Sequence, residues 1–424
     1  MQLISPRISR FNSRFNSHHH SRFDFRFNLG FSFGNNANQL ARLFLTVTLF
    51  LGSVIASFPS VAQAQSAPAP IIAAKSWFLL DVTSGQVLSS LEPDLKVEPA
   101  SLTKLMTAYL TFAAIRDKKL AMTTRPAVSE AAYKAIGSRM FIDPKVPATV
   151  DELLHGMIVQ SGNDAAIVLA EAVGGSETVF AQMMNREAAR LGMKNSAFAN
   201  STGLPDANLY STARDMSILA TRLILDFPEN YAIYAQKSYT YNNITQENRN
   251  RLLFIDPTVD GVKTGHTEAA GYCLIASSKR DQPGFGARRL LSVVLGASSM
   301  ATRATESQKL LAWGFQNFDL ARFYPAGKEV GKYQVWKGKT NEVTGIADGG
   351  LIVTVPKGQT EFVKAEVERL QPLIAPIAKG QTIGTVRVKL ADKVIAEKAL
   401  VASAAIEQAG FFGRMIDTVK LWMK

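Results

Sequence analysis

Several stretches of this chain repeat apolar side chains with the period of an α-helix. Residues 101–115 are apolar at almost every position, which is typical of a helix buried on all sides. Amphipathic periodicity predicts four further helices, at residues 149–160, 164–173, 177–191 and 212–225. Thr149 and Glu152 have the spacing of a capping box, which marks the start of the first of these four.

Short apolar runs separated by Gly-containing links indicate strands on both sides of this helical region. One strand is predicted at 77–82 with a turn at Ser84-Gly85, and three more at 259–264, 272–277 and 290–295 as an antiparallel meander. A last helix is expected at about 301–315. This order of elements predicts an α/β domain in which helices pack on one antiparallel sheet.

The pattern changes after residue 322. Short alternating runs, such as Val386, Val388 and Leu390, lie between Gly and Pro residues and predict a separate small all-β domain at 323–408. An amphipathic helix is expected at 409–424. The α/β domain would then occupy residues 73–322.

The first 64 residues differ in composition from the rest. They contain six Arg and one Asp, so they contribute +5 of the formal net charge of +12. An apolar run at 43–58 precedes SVAQA at 60–64, which has the small-x-small form of a signal peptidase site. We interpret residues 1–64 as a secretory signal peptide rather than a transmembrane anchor, because the apolar run is short for a span. Residues 65–72 are expected to be a flexible mature N-terminus.

The remaining positive charge suits an anionic membrane surface or an acidic polymer, and we predict no nucleic-acid partner. Cys273 is the single cysteine, so the chain has no internal disulfide. It stands in an apolar strand-like run, which predicts a buried structural thiol rather than a nucleophile. No metal and no cofactor are predicted.

Ser101 and Lys104 stand at the start of the predicted buried helix. Residues three apart share a helix face, so the amine can reach the hydroxyl beside the positive end of the helix dipole. A Ser hydroxyl needs a base, and a desolvated Lys near other cations can serve as one. The alternative is a capping Ser with an exposed Lys. Lys104 lies among apolar side chains, where an unpaired charge is costly, so we interpret the pair as nucleophile and base.

Two further motifs lie at places suited to ligand contact. Ser161-Gly162-Asn163 lies between two predicted helices, and Lys263-Thr264-Gly265-His266 ends a predicted strand. Gly265 would allow a substrate backbone to lie against the strand edge. Taken singly, the first motif also fits a helix cap and the second an ordinary turn. The three motifs together, each in a suitable element, favour catalysis.

In this order the motifs resemble the Ser-x-x-Lys, Ser-x-Asn and Lys-Thr-Gly motifs of penicillin-binding proteins and serine β-lactamases. The segments PASLTK at 99–104, QSGNDA at 160–165 and DGVKTGHT at 260–267 are similar to those of low-molecular-weight D-alanyl-D-alanine carboxypeptidases. The resemblance runs from about residue 73 to the C-terminus and includes YSTARDM at 210–216, NRN at 248–250 and FFG at 411–413. It implies a β-lactamase/transpeptidase-like domain.

The resemblance also implies acyl transfer on the D-alanyl-D-alanine end of a peptidoglycan pentapeptide. Ser101 would attack the carbonyl between the two D-alanines and Lys104 would take its proton. Ser161 would pass a proton to the leaving amine, polarised by Lys263, while Asn163 binds the substrate's peptide. The backbone N–H groups of Ser101 and His266 would form the oxyanion hole.

The substrate's terminal carboxylate is assigned by the same resemblance to Thr264 and to a cationic Arg249 or Arg303. Arg303 is expected in a loop, and either Arg is alternatively a solvated surface charge. β-Lactam antibiotics are expected to acylate Ser101 and inhibit the enzyme.

Three other functions fit part of the sequence. A Ser-His-Asp hydrolase needs a His base, and the mature chain offers only His155 in a predicted helix and His266 beside the third motif. A class A β-lactamase carries a Glu between the second and third motifs, and we find no convincing Glu-x-x-x-Asn there. A non-catalytic peptidoglycan-binding protein is expected to lack Ser101 or Lys104, and both are present.

The tail at 411–424 separates apolar from polar side chains on a helical wheel. The polar side carries Arg414, Asp417, Lys420 and Lys424, with Leu421 as the exception, and the apolar arc comprises Phe411, Phe412, Met415, Ile416, Val419, Trp422 and Met423. Such a helix packs on the protein's own core or lies in a membrane surface, and it is too short to span. Its basic and aromatic residues favour a membrane surface. The resemblance to carboxypeptidases that end in such an anchor implies a peripheral site on the periplasmic face of the bacterial inner membrane.

Overall fold

The computed structural model describes residues 68–423. The predicted signal peptide at 1–64, residues 65–67 and Lys424 lie outside the described residues. At 68–72, where we expected a flexible segment, Ile72 is buried and the Pro68 carbonyl accepts a hydrogen bond from Trp313 Nε1 at 3.1 Å.

The N-terminal lobe is built on a five-stranded antiparallel sheet with the order β2-β1-β7-β6-β5. Its strands are β1 (Ser76–Asp81), β2 (Gln86–Leu91), β5 (Val259–Thr267), β6 (Gly271–Gln282) and β7 (Gly286–Ala297). The predicted first strand and the predicted meander are confirmed. Strand β2 was not predicted, because Gln86, Ser89 and Ser90 interrupt its apolar pattern and it stays largely outside the core.

Helices cover both faces of this sheet. They are α1 (Lys104–Arg116), α2 (Glu130–Tyr133), α3 (Val150–Val159), α4 (Asn163–Gly174), α5 (Glu177–Leu191), α6 (Ala213–Asp226), α7 (Pro228–Tyr231), α8 (Leu252–Ile255) and α9 (Met300–Asn317). A small hairpin of β3 (Ser238–Tyr241) and β4 (Ile244–Glu247) lies outside the main sheet. The capping box of α3 is present, with Thr149 and Glu152 bonded to each other's backbone N–H groups.

The alternation of side chains along β1 separates two cores. Phe78 packs with helix α1 on one face of the sheet, while Leu79 packs with Leu310 and Leu311 of α9 on the other. Helix α1 is buried on nearly all sides, as its uniform apolar pattern predicts. The first turn of α1, which begins at Lys104, is therefore buried within the lobe.

The C-terminal lobe is all β, as predicted. Strands β9 (Glu329–Trp336), β10 (Glu342–Ala347), β12 (Val363–Arg369), β13 (Leu373–Ile374), β14 (Thr382–Leu390) and β15 (Lys393–Ala402) form a six-stranded sheet. Strands β8 (Phe318–Tyr324) and β11 (Leu351–Pro356) pair separately. The expected domain boundary at 322/323 falls inside β8. The alternating Val386 and Val388 are fully buried in the core of this lobe.

The chain ends in helix α10 (Phe411–Trp422). Within residues 68–423, no helix combines the length and the apolar character that a membrane crossing requires.

Candidate active site

Ser101 lies in a 3-10 turn, Ala100–Thr103, that runs directly into α1. Ala100 adopts a left-handed backbone with φ of 48°, so this turn is held by its surroundings rather than by its own preference. Gly203 and Gly265 allow that close support: a Cβ at Gly203 would collide with the Ala100 carbonyl, and one at Gly265 would lie 2.9 Å from the Pro99 oxygen. The turn that carries Ser101 is thus packed closely against the backbones of Gly203 and Gly265.

Lys104 is the first residue of α1 and is 1% exposed. Its Nζ donates to Ser101 Oγ at 3.0 Å and to the Thr202 carbonyl at 2.6 Å. The pKa of Lys104 is lowered to about 7, first by burial and then by the charge of Arg249, while Asp164 opposes the shift. The amine is therefore poised to exchange a proton near neutral pH.

The second motif joins α3 to α4. Ser161 has a φ of 66°, and its buried Oγ makes no hydrogen bond to any residue that the structure describes. Asn163 opens α4, and its Nδ2 donates to the Ile136 carbonyl at 2.6 Å. The sharp turn directs Ser161 to the same cavity as Ser101.

The third motif lies in the edge strand β5. Lys263 is 3% exposed and donates to the neighbouring Thr264 carbonyl at 3.3 Å. Burial holds the pKa of Lys263 well below its usual value, and the charges of Lys104, Arg249 and Arg303 lower it further. His266, one residue beyond Gly265, is exposed and stacks on Tyr272 with ring centroids 4.1 Å apart.

A cavity of about 260 Å³ collects residues from all three motifs. Its lining comprises Ser101, Ser138, Ser161, Arg249, Thr264, Gly265, His266, Tyr272, Met300 and Arg303. Lys104, Asn163 and Lys263 are buried beside these lining residues and do not themselves line the cavity.

The expected loop position of Arg303 is wrong. Arg303 lies in the first turn of α9, which starts at Met300 because Ser299 caps it through the Thr302 N–H. The side chain is 4% exposed and Nη1 donates to the Gly265 carbonyl at 3.1 Å. The pKa of Arg303 is lowered to about 10, mainly by burial and also by the charge of Arg249. Arg249, in contrast, is exposed at the cavity.

Three lining residues were not predicted, namely Ser138, Tyr272 and Met300. Ser138 belongs to an irregular segment between α2 and α3, and nothing in its local sequence signals a site. Tyr272 and Met300 stand at the starts of β6 and α9, so only the assembled sheet brings them to the cavity.

Other residues considered from the sequence have structural surroundings. His155 Nδ1 lies 2.5 Å from Gln236 Oε1, and its ring stacks on Tyr239, consistent with a structural histidine. Cys273 is fully buried, and burial raises the pKa of its thiol to about 11, which confirms the predicted structural thiol. Residues 68–423 contain no group of three or more His, Cys, Asp or Glu arranged to hold a metal ion.

The assembled geometry suits acyl transfer. A hydroxyl is hydrogen-bonded to a buried amine whose pKa is lowered to about 7, which is the arrangement of an activated serine nucleophile. Cationic side chains at the cavity suit a substrate that carries a carboxylate.

Comparison with known proteins agrees with this chemistry. The family model described as D-alanyl-D-alanine carboxypeptidase, peptidase S11, matches residues 62–299, and the penicillin-binding protein 5 C-terminal domain matches 318–408. D-alanyl-D-alanine carboxypeptidase DacA of Haemophilus influenzae is 41% identical over 84% of this chain and 91% of its own length. DacC of Escherichia coli is also 41% identical, over 85% of this chain and 91% of its own length.

Solved structures extend the similarity to the fold. Penicillin-binding protein 5 from Haemophilus influenzae is 41% identical, with a TM-score of 0.76 over 81% of this chain and 100% of that chain. Penicillin-binding protein D2 from Listeria monocytogenes, solved in an ampicillin-bound form, is 28% identical, with a TM-score of 0.53 over 59% of this chain and 100% of that chain. The present chain therefore belongs to the D-alanyl-D-alanine carboxypeptidases of peptidase family S11, serine peptidases of the penicillin-binding protein class.

Proposed function

We propose that Ser101 and Lys104 carry the carboxypeptidase reaction as nucleophile and general base. The observation that supports this assignment is the 3.0 Å hydrogen bond from a buried Lys104 amine to the Ser101 hydroxyl. An amine with a pKa of about 7 is largely deprotonated at slightly alkaline pH and can accept the hydroxyl proton.

The proposed reaction has two steps on the D-alanyl-D-alanine end of a peptidoglycan pentapeptide. Ser101 Oγ attacks the carbonyl carbon between the two D-alanines and gives its proton to Lys104. The C–N bond then breaks, the departing nitrogen gains a proton, and D-alanine leaves an ester on Ser101. Water adds to that ester, its proton returns to Ser101 Oγ, and the shortened peptide is released.

Ser161 and Lys263 are assigned to the leaving group. Ser161 lines the cavity together with Ser101, so its hydroxyl can pass a proton to the departing nitrogen. Lys263 is buried in the same region, where burial and the charge of Lys104 lower its pKa. Asn163 is assigned to the substrate's peptide group, and the N–H groups of Ser101 and His266 to the developing oxyanion.

Arg249 and Thr264 are assigned to the substrate's terminal carboxylate. Arg249 is exposed at the cavity, whereas Arg303 already donates to the Gly265 carbonyl. Arg303 therefore supports the strand edge and adds positive charge, while the more accessible Arg249 makes the direct ion pair.

The experiment that tests this function is mass spectrometry of the protein after incubation with penicillin. One adduct that maps to Ser101 and persists for many turnover times of the peptide substrate is expected, because the sequence between the second and third motifs has no Glu-x-x-x-Asn like the one that activates a deacylating water in class A β-lactamases. Rapid turnover of penicillin would instead support a β-lactamase.

We further propose secretion by residues 1–64 and attachment to the periplasmic face of the inner membrane through α10. Helix α10 is held to the C-terminal lobe by its polar side, where Asp417 accepts a 2.6 Å hydrogen bond from the Lys337 N–H. The opposite arc is exposed, with Phe412 at 75% and Trp422 at 92%. Such an arc with basic flanks suits an anionic lipid interface.

A further inference from the structure

Asp164 is a buried carboxylate for which the proposed reaction has no use. It follows Asn163 at the start of α4 and is fully buried. Its oxygens accept backbone N–H groups of Met140 at 2.9 Å, Phe141 at 2.8 Å and Ile142 at 3.3 Å. A buried carboxylate is costly unless it is compensated, and these three amides supply the compensation.

The amides belong to residues 136–142, which we name the wall segment. Ser138 of this segment lines the cavity, and its carbonyl accepts the Asn163 N–H at 2.7 Å. The Ile136 carbonyl accepts Asn163 Nδ2 at 2.6 Å. The wall segment therefore touches the second motif directly and forms one side of the site.

Two residues of the wall segment have a positive φ, so contacts from outside the segment must hold its backbone in this conformation. Gly137 has a φ of 80° and Phe141, a bulky residue, has a φ of 65°. The hairpin holds the outside of the segment, where Gln246 donates to the Arg139 carbonyl at 3.0 Å. On the buried side of the segment, the Asp164 carboxylate accepts the N–H groups of residues 140–142 and so holds the backbone in place.

We propose that Asp164 is a positioning residue that fixes the wall segment and thereby places Ser138 and the Asn163 side chain for substrate. This inference rests on the proposed function, because it treats Asn163 as a substrate ligand. Asp164 acts through the wall segment and does not touch the reacting atoms.

Asp164 also has an electrostatic effect that a neutral anchor would lack. Two charged groups act on Lys104: Arg249 lowers its pKa and Asp164 raises it. Lys104 in turn lowers the pKa of the buried Lys263. Arg139 Nε, 3.9 Å from Asp164, is the cation nearest to the carboxylate. Removing the negative charge should therefore lower the pKa of Lys104.

The test compares Asp164→Asn with Asp215→Asn. Both oxygens of Asp164 accept backbone N–H groups, so either orientation of an Asn amide places an NH₂ group against donors. Asp215 is a matched control, because it is 2% exposed and accepts the Asn195 N–H at 2.7 Å, while neither residue lines the cavity. Both variants lose a buried carboxylate of the same lobe.

For Asp164→Asn we expect kcat/KM and the rate of penicillin acylation to fall about 100-fold together, as for a displaced binding group. The amides of residues 140–142 should exchange hydrogen faster, and the acid limb of the kcat/KM profile should move to lower pH. Asp215→Asn should keep the wild-type kcat/KM and acid limb. Wild-type kinetics in Asp164→Asn, or a loss equal to that of the control with an unmoved acid limb, would overturn the inference.

Gly137→Ala tests the wall segment if Asp164→Asn does not fold. Gly137 is exposed, so folding should survive, but a Cβ there would lie 2.9 Å from Asn163 Nδ2 at a positive φ. We expect a lower kcat/KM with an unmoved acid limb, and unchanged kinetics would count against the inference. Penicillin labelling of Ser101→Ala would contradict the proposed function itself, and that result is independent of the Asp164→Asn and Gly137→Ala measurements.

Discussion

At the scale of single residues, the chemistry depends on an amine that the fold keeps out of water. Lys104 gives one hydrogen bond to Ser101 and one to the Thr202 carbonyl, and both partners are neutral. Because no carboxylate within residues 68–423 is bonded to it, burial and the charge of Arg249 dominate and bring its pKa to about 7. A lysine paired with a carboxylate would stay charged and could not act as a base.

Ser101→Ala should abolish both D-alanine release and penicillin labelling. The substitution removes the nucleophile but only one hydrogen bond, which contributes about 1 kcal/mol to stability. Far-ultraviolet circular dichroism and the Tm should therefore remain close to those of the wild type. Residual labelling of this variant would refute Ser101 as the nucleophile.

Lys104→Arg should be nearly inactive, because a guanidinium stays protonated at working pH. In the wild type, kcat/KM should rise with pH through about 7, since the reactive form of Lys104 is the neutral one and acid removes it. A pH profile of the two proteins on a D-alanyl-D-alanine peptide tests both statements. A flat acid side in the wild type, or normal turnover in the variant, would assign the proton to another group.

At the scale of elements, α10 differs from every helix of the N-terminal lobe in what its apolar face contacts. In α1 almost every residue is buried, whereas none of the residues of α10 is. Leu421, the apolar exception on its polar side, is half-buried beside the C-terminal lobe. The polar side of α10 therefore contacts the C-terminal lobe, and the side chains of its apolar arc remain largely exposed.

Truncation after Ala409 should release active, penicillin-binding enzyme from membranes. Helix α10 (Phe411–Trp422) contributes no buried side chain, so the two lobes should remain folded. Fractionation of cells and flotation with anionic vesicles measure the release.

A double change, Phe412→Glu with Trp422→Glu, should have the same effect on membrane binding, whereas Thr418→Ser serves as the matched control and should still bind. A truncated protein that unfolds would place α10 in the core, and one that stays on membranes would locate the tether elsewhere.

At the scale of the whole molecule, a buried polar network joins the two lobes. Arg288 of β7 forms a 2.8 Å ion pair with Asp81 of β1, and both side chains are almost fully buried. Across the junction, Thr354 of β11 donates to Asp81 at 2.9 Å, and Arg288 donates to the Phe318 carbonyl at 2.7 Å. Each charged group thus bonds to both lobes.

Arg288→Met should destabilise the folded protein by about 3–5 kcal/mol, because it leaves the Asp81 carboxylate buried without its cation. Arg387→Met is the matched control: Arg387 pairs with Glu397 at 2.7 Å, but on the exposed face of the C-terminal sheet. Denaturant unfolding should show a large loss in the first variant and a negligible one in the second. Equal losses in the free energy of unfolding would mean that the buried ion pair at the junction stabilises the protein no more than a surface pair does.

Local patterns predicted most of the elements but not the polar or exposed ones. The start of α3 followed from its capping box, and the burial of α1 from its apolar run. Strand β2 and the hairpin of β3 and β4 were missed, because their side chains are mostly outside the core and carry little periodicity. The helix expected at about 301–315 is α9, which runs from Met300 to Asn317.

The sequence by itself determined which residue types stand at which spacing, and therefore the three motifs, the order of the main strands and helices and the amphipathic tail. These features depend on neighbours within a few residues, so periodicity and capping reveal them. The sequence also identified every candidate site residue that carries a charge at the cavity.

Only the tertiary structure decided what surrounds those residues. The Thr202 carbonyl that binds Lys104 is 98 positions away along the chain, and Asp164 anchors a segment more than twenty residues before it. The lowered pKa of Lys104, the burial of Arg303 and the wall segment all arise from such distant contacts. Desolvation and charge interactions depend on distance in space, which local sequence patterns do not contain.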